Sequence, residues 1–259
     1  MGERMKRNWS IIPNFEQKEA FAELAQKYQT AFEYNDFFLP HVYESEEEIE
    51  RRILGYCSLD RNRCNDTLHG VFLDIVLSSD DKVIAEYSKK RMRQSMEIAQ
   101  RLGIKGVVFH SGLVPGVTND MYISNWLKRQ EEFFRNILNE FPSLHIYLEN
   151  TLEQSATYLI RLKESLKDCE RFNFCFDYAH ATITNTSTKQ WINDMGKYIR
   201  HFHINDNDGI DDLHQIPGEG KTNWKVFEEE TERFQNATVL IEINGLEKQK
   251  KALEYLIRL

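Results

Sequence analysis

The 259 residues of this chain fit one large α/β barrel or two small domains, and a 41% apolar content is enough for a substantial core. A net charge of -8 argues against an extended polyanion as ligand without excluding a local basic cleft. No run approaches the roughly 20 apolar residues of a membrane span.

The chain alternates strand and helix throughout. Trp9–Ile12 reads as the first strand, and a helix from about Phe15 to Tyr28 follows, with Phe15, Ala22, Leu24 and Ala25 as buried candidates. Ala31–Tyr34 is the second strand. Ser45 then caps a helix opened by Glu46, Glu47 and Glu48, whose charge suits the positive end of the helix dipole. The third strand ends at His69. A long helix from about Asp80 to Leu102 stops at Gly103, a C-cap signal. The fourth strand ends at His110 and is followed by a helix over roughly Asn125–Glu140. The fifth ends at Glu149, with a helix near Gln154–Leu166. The sixth ends at Asp177, with His180 close behind and a helix near Lys189–Met195. The seventh ends at His203, before a long loop and a helix near Trp224–Phe234. The eighth ends at Glu242, and Glu247–Ile257 closes the chain as a helix.

Eight βα units with ordinary connections and no Pro-, Gly- or Ser-rich linker favour a single (β/α)8 barrel spanning residues 1–259 over an open doubly wound sheet. Side-chain parity agrees. Leu144, Ile146 and Leu148 oppose His145, Tyr147 and Glu149; Phe172, Phe174 and Phe176 oppose Asn173, Cys175 and Asp177; Val239, Ile241 and Ile243 oppose Leu240, Glu242 and Asn244. The apolar face packs under the helices and the other points into the barrel. Inward carboxylates are costly to bury without a partner or a metal, so the pattern predicts a cation at the carboxyl ends of the strands.

The candidate ligands are His69, His110, Glu149, Asp177, His180, His203, Asp212, His214 and Glu242. Each alone has a plain structural explanation, as a hydrogen-bonded histidine, a helix cap or an ion-pair partner. Together they place five of the eight histidines and both strand-terminal glutamates at one face. Mixed imidazole and carboxylate donors suit Zn2+ or Mn2+ foremost, and also Fe2+ or Co2+, in one to three ions. Gly218-Glu219-Gly220 lets the loop carrying Asp212 and His214 fold tightly over the site. His201 is assigned to packing or support beneath His203. His41 and His145 read as structural, and Glu33 as an ion-pair or surface residue or a substrate contact. Cys57, Cys64, Cys169 and Cys175 show no CxxC pair and read as reduced thiols of a cytosolic protein. Met1–Lys6 lacks a signal peptide's apolar core, and Lys6 stands where a myristoylation motif wants Ser or Thr.

At Val108-Phe109-His110-Ser111-Gly112, Leu148-Glu149-Asn150-Thr151, Phe176-Asp177-Tyr178-Ala179-His180, His203-Ile204-Asn205-Asp206, Asp212-Leu213-His214 with Pro217-Gly218-Glu219-Gly220, and Ile241-Glu242, the chain resembles the xylose-isomerase-like TIM-barrel superfamily. That group unites sugar isomerases and epimerases with abasic-site nucleases of the endonuclease IV type. For a sugar enzyme the resemblance implies one divalent ion on Glu149, Asp177, His203 and Glu242, with Glu149 and Glu242 as acid/base groups acting through a metal-stabilised enediolate, and His180 on the sugar. For a nuclease it implies three zinc ions: one on His69, His110 and Glu149, one on Glu149, Asp177, His203 and Glu242, and one on His180, Asp212 and His214. Two features depart from the patterns. Asn205–Gly209 lacks the arginine that sugar epimerases place after the seventh-strand histidine, and Ile204–Asp211 is shorter than the nuclease segment.

The composition of the rim favours the sugar enzyme. Gly70–Ser79, Ser111–Thr118, Asn150–Ser155 and Ala181–Ser187 contain no Lys or Arg, and Asn205–Thr222 contains only Lys221. Duplex binding draws its affinity from such residues. An uncharged carbohydrate is therefore the expected substrate and a nucleic acid is disfavoured. His180, Asn150, Trp224 and Lys221 are the expected substrate contacts, with Phe37, Phe38, Phe72 and Leu113 covering apolar sugar faces. The resemblance allows a homodimer. A nuclease, or a barrel that binds a sugar without turning it over, is the alternative.

Overall fold

The computed structural model of the protein describes residues 7–259; Met1–Lys6, read above for a leader or acylation motif, lies outside the described residues. The strands are β1 (Asn8–Ile11), β2 (Ala31–Tyr34), β3 (Thr67–His69), β4 (Gly106–His110), β5 (His145–Glu149), β6 (Phe172–Asp177), β7 (Ile199–Ile204) and β8 (Thr238–Ile241). Each pairs in parallel with the next, and β8 pairs with β1 to close a barrel. Between and after them run α1 (Lys18–Tyr28), α2 (Pro40–Tyr43), α3 (Glu46–Cys57), α4 (Lys82–Leu102), α5 (Asp120–Glu140), α6 (Thr157–Ser165), α7 (Tyr178–Thr182), α8 (Thr188–Met195), α9 (Trp224–Thr231) and α10 (Leu246–Leu256). This is a (β/α)8 barrel. No helix among the described residues is long and apolar enough to cross a membrane.

Local chemistry sets the boundaries. Ser45 Oγ accepts the Glu48 amide at the start of α3, and Gly103, at φ 67°, closes α4 in the left-handed conformation that glycine adopts without strain. The helix expected from Asn125 begins earlier, because the Asn119 side chain accepts the Tyr122 amide and caps α5. Two short helices escaped the sequence pattern. α2 has Pro40 in its first turn. α7 follows β6 directly, with Asp177 as its cap.

The parity expected from the sequence separates two layers of packing. Val108, Tyr147 and Cys175 form a cluster of their own inside the barrel, apart from the larger core that holds Val107, Phe109, Ile146, Leu148, Phe174 and Phe176. The β6–β7 pairing shifts register between Phe174 and Cys175. This bulge lets Ile199 join the outer core while His201 sits in the barrel layer with Glu33 and Thr238.

Candidate metal centre

The carboxyl ends of β3 to β8 deliver their polar side chains to one mouth. His110 stands opposite Glu149, and Asp177 opposite His203, in the strand register. Glu242 lies just past β8, its amide donating to Ile204 O at 2.8 Å. The donor atoms of Glu149, Asp177, His203 and Glu242 all come within 4.8 Å of one another, and so do those of His69, His110 and Glu149. His203 Nδ1 lies 3.4 Å from Glu149 Oε1 and 3.4 Å from Glu242 Oε2. The other oxygen of Glu149, Oε2, lies 3.6 Å from Nε2 of both His69 and His110. Glu149 thus faces two groups of donors at once.

The backbone fixes several of these rings. His69 Nδ1 meets Gly70 O at 2.9 Å and His180 Nδ1 meets Asn150 O at 2.9 Å. In each case the carbonyl can take the ring N–H at Nδ1, which would leave the Nε2 electron pair for an ion; in His180 that Nε2 meets Asp212 Oδ2 at 3.2 Å. Asp177 Oδ1 accepts the His180 amide at 2.7 Å, which leaves Oδ2 for the centre. Glu149 Oε2, Asp177 Oδ2, His203 Nδ1 and Glu242 Oε2 are buried without a hydrogen-bond partner. Buried polar atoms are normally satisfied. A knot of orphaned carboxylate and imidazole atoms is what a divalent cation would satisfy, and these residues fit one.

The electrostatics agree. Burial opposes ionisation of Glu149, but His203 and His110 hold its carboxyl well below the usual range. Burial, with the like charges of Glu242 and Glu149, pushes Asp177 up to about 8 against the pull of His180. Burial brings His110 down to about 4. It also works against the protonated form of His214, yet contact with Asp212 and the charge of Glu242 carry that ring up to about 10.

Asp212 and His214 reach the mouth on the loop after β7. Asp212 Oδ2 lies 3.2 Å from His180 Nε2 and 3.0 Å from His214 Nε2, and His214 Nδ1 meets Glu242 O at 2.8 Å. His180, Asp212 and His214 form a linked row rather than one tight group of donors. His214 sits at φ 47°, a left-handed conformation that costs a non-glycine residue on the order of 1–3 kcal/mol. Asp206 holds the loop in shape. Its carboxylate accepts the amides of Gly218 at 2.8 Å and Thr222 at 2.9 Å and the Trp224 indole N–H at 3.0 Å.

The expected substrate contacts divide. His180 meets Asp212 of the mouth loop, and Lys221 is an exposed residue of that same loop. Asn150 has other work: its Oδ1 accepts the Asp177 amide at 2.9 Å and its Nδ2 donates to Asp177 O at 3.0 Å. Trp224 is 3% exposed and bonded to Asp206, so it supports the loop from below. Phe37 is likewise buried, whereas Phe38 and Phe72 pack edge-on against the His69 ring and Phe72 also lies tilted against His110. A cavity of about 330 Å³ adjoins them, with Val71, Phe72, Leu113, Leu152, His110 and His180 among its walls.

Sequence reasoning gave Glu33 an ion-pair role as one of its alternatives without identifying the partners, and quoted Asp206 within a motif without giving it a role. Glu33 is fully buried inside the barrel, against His201, His203 and Thr67. The parity argument applied to three other strands would have turned it inward between Phe32 and Tyr34. The role of Asp206 could not be read from residue types, because its partners are backbone amides and one indole N–H.

The family model described as xylose isomerase-like TIM barrel matches residues 23–259. The chain belongs to this family. Among xylose isomerase-like proteins, a D-tagatose 3-epimerase-like protein has the same fold, with a TM-score of 0.76 at 23% identity over 97% of this chain and 96% of that one. An uncharacterised protein of Methanocaldococcus jannaschii is 28% identical over 181 residues, 69% of this chain and 70% of its own. A protein of African swine fever virus named "probable AP endonuclease" is 25% identical over 154 residues, 53% of this chain and 49% of its own.

Proposed function

We propose that this xylose isomerase-like chain is a divalent-metal-dependent isomerase or epimerase of a small sugar or sugar-like keto compound. The observation that carries the reading is the pair Glu149 and Glu242, each 3.4 Å from His203 Nδ1 within one four-donor group. A divalent ion bound there would polarise a carbonyl and stabilise the negative charge that develops on its oxygen. Glu149 and Glu242 then stand on either side of the bound carbon framework. One takes the carbon-bound proton and the other returns it, a role usually worth about 10²–10⁴-fold in rate. His180, already fixed by Asn150 O, is placed to meet a hydroxyl. The apolar cavity beside His110 and the lack of cationic side chains on most of the rim support an uncharged substrate.

The test is exchange of carbon-bound hydrogen. Zn2+- or Mn2+-loaded protein incubated with a panel of ketopentoses and ketohexoses in D2O should incorporate deuterium next to the carbonyl of at least one sugar, and Glu149→Gln should stop it. Full exchange by Glu149→Gln would refute the assignment.

One observation favours a second reading, hydrolysis of a phosphoester across clustered ions. Glu149 turns its second oxygen to His69 and His110, and Asp212 links His180 to His214, which is more donors than one ion needs. Incision of an abasic duplex by the metal-loaded protein, weakening steeply with salt, together with no sugar exchange, would replace the first reading with this one.

A further inference from the structure

Below the mouth, in the next layer of the barrel, lies a carboxylate that the proposed reaction does not use. Glu33 is fully buried. Its Oε2 accepts the Thr67 hydroxyl at 2.6 Å and meets His201 Nε2 at 3.0 Å. Its Oε1 lies 3.0 Å from His203 Nε2, within ion-pair distance but off hydrogen-bond geometry, and neither atom has a hydrogen-bond partner elsewhere. Thr238 holds the far nitrogen of His201, so Glu33 is pinned from two sides in the interior of the barrel.

His203 is therefore gripped between two acidic environments. Nε2 faces Glu33, while Nδ1 faces Glu149 and Glu242. A neutral imidazole carries one N–H and one electron pair. It can give the electron pair to an ion at Nδ1 only if the N–H is on Nε2, where an acceptor must receive it. We infer that Glu33 is a positioning residue: it fixes the tautomer and tilt of His203 so that Nδ1 is presented to a metal ion held with Glu149, Asp177 and Glu242. The inference rests on metal binding at that group. It explains why an otherwise costly buried carboxylate sits in this layer, and it makes Thr67 a residue that acts only through Glu33.

The experiment measures Zn2+ affinity by competition with a chromophoric chelator and the visible absorption of the Co2+-loaded protein, with circular dichroism of each metal-free variant as the folding control. Wild type comes first: no Zn2+ binding there would defeat the proposed function itself. Given wild-type binding, Glu33→Gln, which sets an amide N–H2 or a weaker acceptor against His203, should weaken Zn2+ binding by about 10- to 100-fold and shift the Co2+ bands. Thr67→Val, which leaves Glu33 but removes one anchor, should weaken it measurably, by about two- to fivefold, with a smaller shift of the Co2+ bands. The double variant should bind no worse than Glu33→Gln alone. Affinity and bands within error of wild type in Glu33→Gln would overturn the inference. So would a Thr67→Val effect that persists in full on top of Glu33→Gln. So would loss of one whole ion with the remaining affinity unchanged, which would make Glu33 itself a ligand. Should Glu33→Gln fail to fold, Thr67→Val carries the test: weakened binding with altered bands supports the inference, and unaltered binding overturns it.

Discussion

Asp177 shows how much one side chain can be asked to do. Its amide and carbonyl are clasped by Asn150, its Oδ1 caps α7, and its Oδ2 has no hydrogen bond and lies 3.6 Å from His180 Nδ1. Burial raises it from 3.8 to about 8. His214 is raised from 6.5 to about 10. For both groups the folded value exceeds the unfolded one. Their protonation favours folding fully below the unfolded value, and that contribution is lost as pH rises through the folded value. The metal-free protein should therefore lose thermal stability between about pH 7 and pH 10. Asp177→Asn keeps the cap oxygen but removes the charge. It should flatten that slope and raise the melting temperature at pH 9 by roughly 2–4 °C, equivalent to about 1 kcal/mol in a domain of this size. A metal-free wild type whose melting temperature is constant or rises over this range would contradict the charge balance described here.

At the scale of elements, the loop between β7 and α9 is the part the sequence half revealed. Its candidate ligands, Asp212 and His214, and its Gly218-Glu219-Gly220 stretch drew notice because Asp-x-His sets two metal-binding side chains close together and the glycines permit a tight fold. The hub did not: Asp206 works through backbone amides and one indole N–H. Strand ends were readable for a related reason. A barrel strand alternates in and out, so an apolar run that stops at His or Glu exposes its candidate ligand by phase. Boundaries set by caps, such as Asn119 before α5, and the short α2 and α7 were hidden because a single hydrogen bond decides them. The glycines of the loop make different demands. A Cβ on Gly220 would run into the Asp206 carboxylate and Asn207 O. Gly220→Ala should therefore displace the loop, expose it to limited proteolysis and weaken metal binding, while the far-ultraviolet circular dichroism of the barrel is kept. A variant as protease-resistant as wild type, with unaltered metal binding, would show that the loop tolerates the intrusion and that the Asp206 hub is less rigid than drawn.

At the scale of the molecule, closure of the sheet is what makes the site. Strands far apart in sequence become neighbours, and their ends converge on one axis, so Glu149, Asp177, His203 and Glu242 meet although residues 149 and 242 lie on β5 and just beyond β8. The barrel interior supplies a lower layer that supports the mouth, Glu33 and His201 under His203. The outer layer of apolar side chains binds the strands to the helices and fixes where those ends fall. The most direct test of this account is the number of metal ions per chain, measured by elemental analysis after loading with Zn2+ or Mn2+ and extensive dialysis. At least one tightly held ion per wild-type chain is expected, with none at this group when Asp177→Asn and Glu242→Gln are combined. A wild-type chain that keeps no ion, or a double variant that keeps as many as wild type, would contradict it.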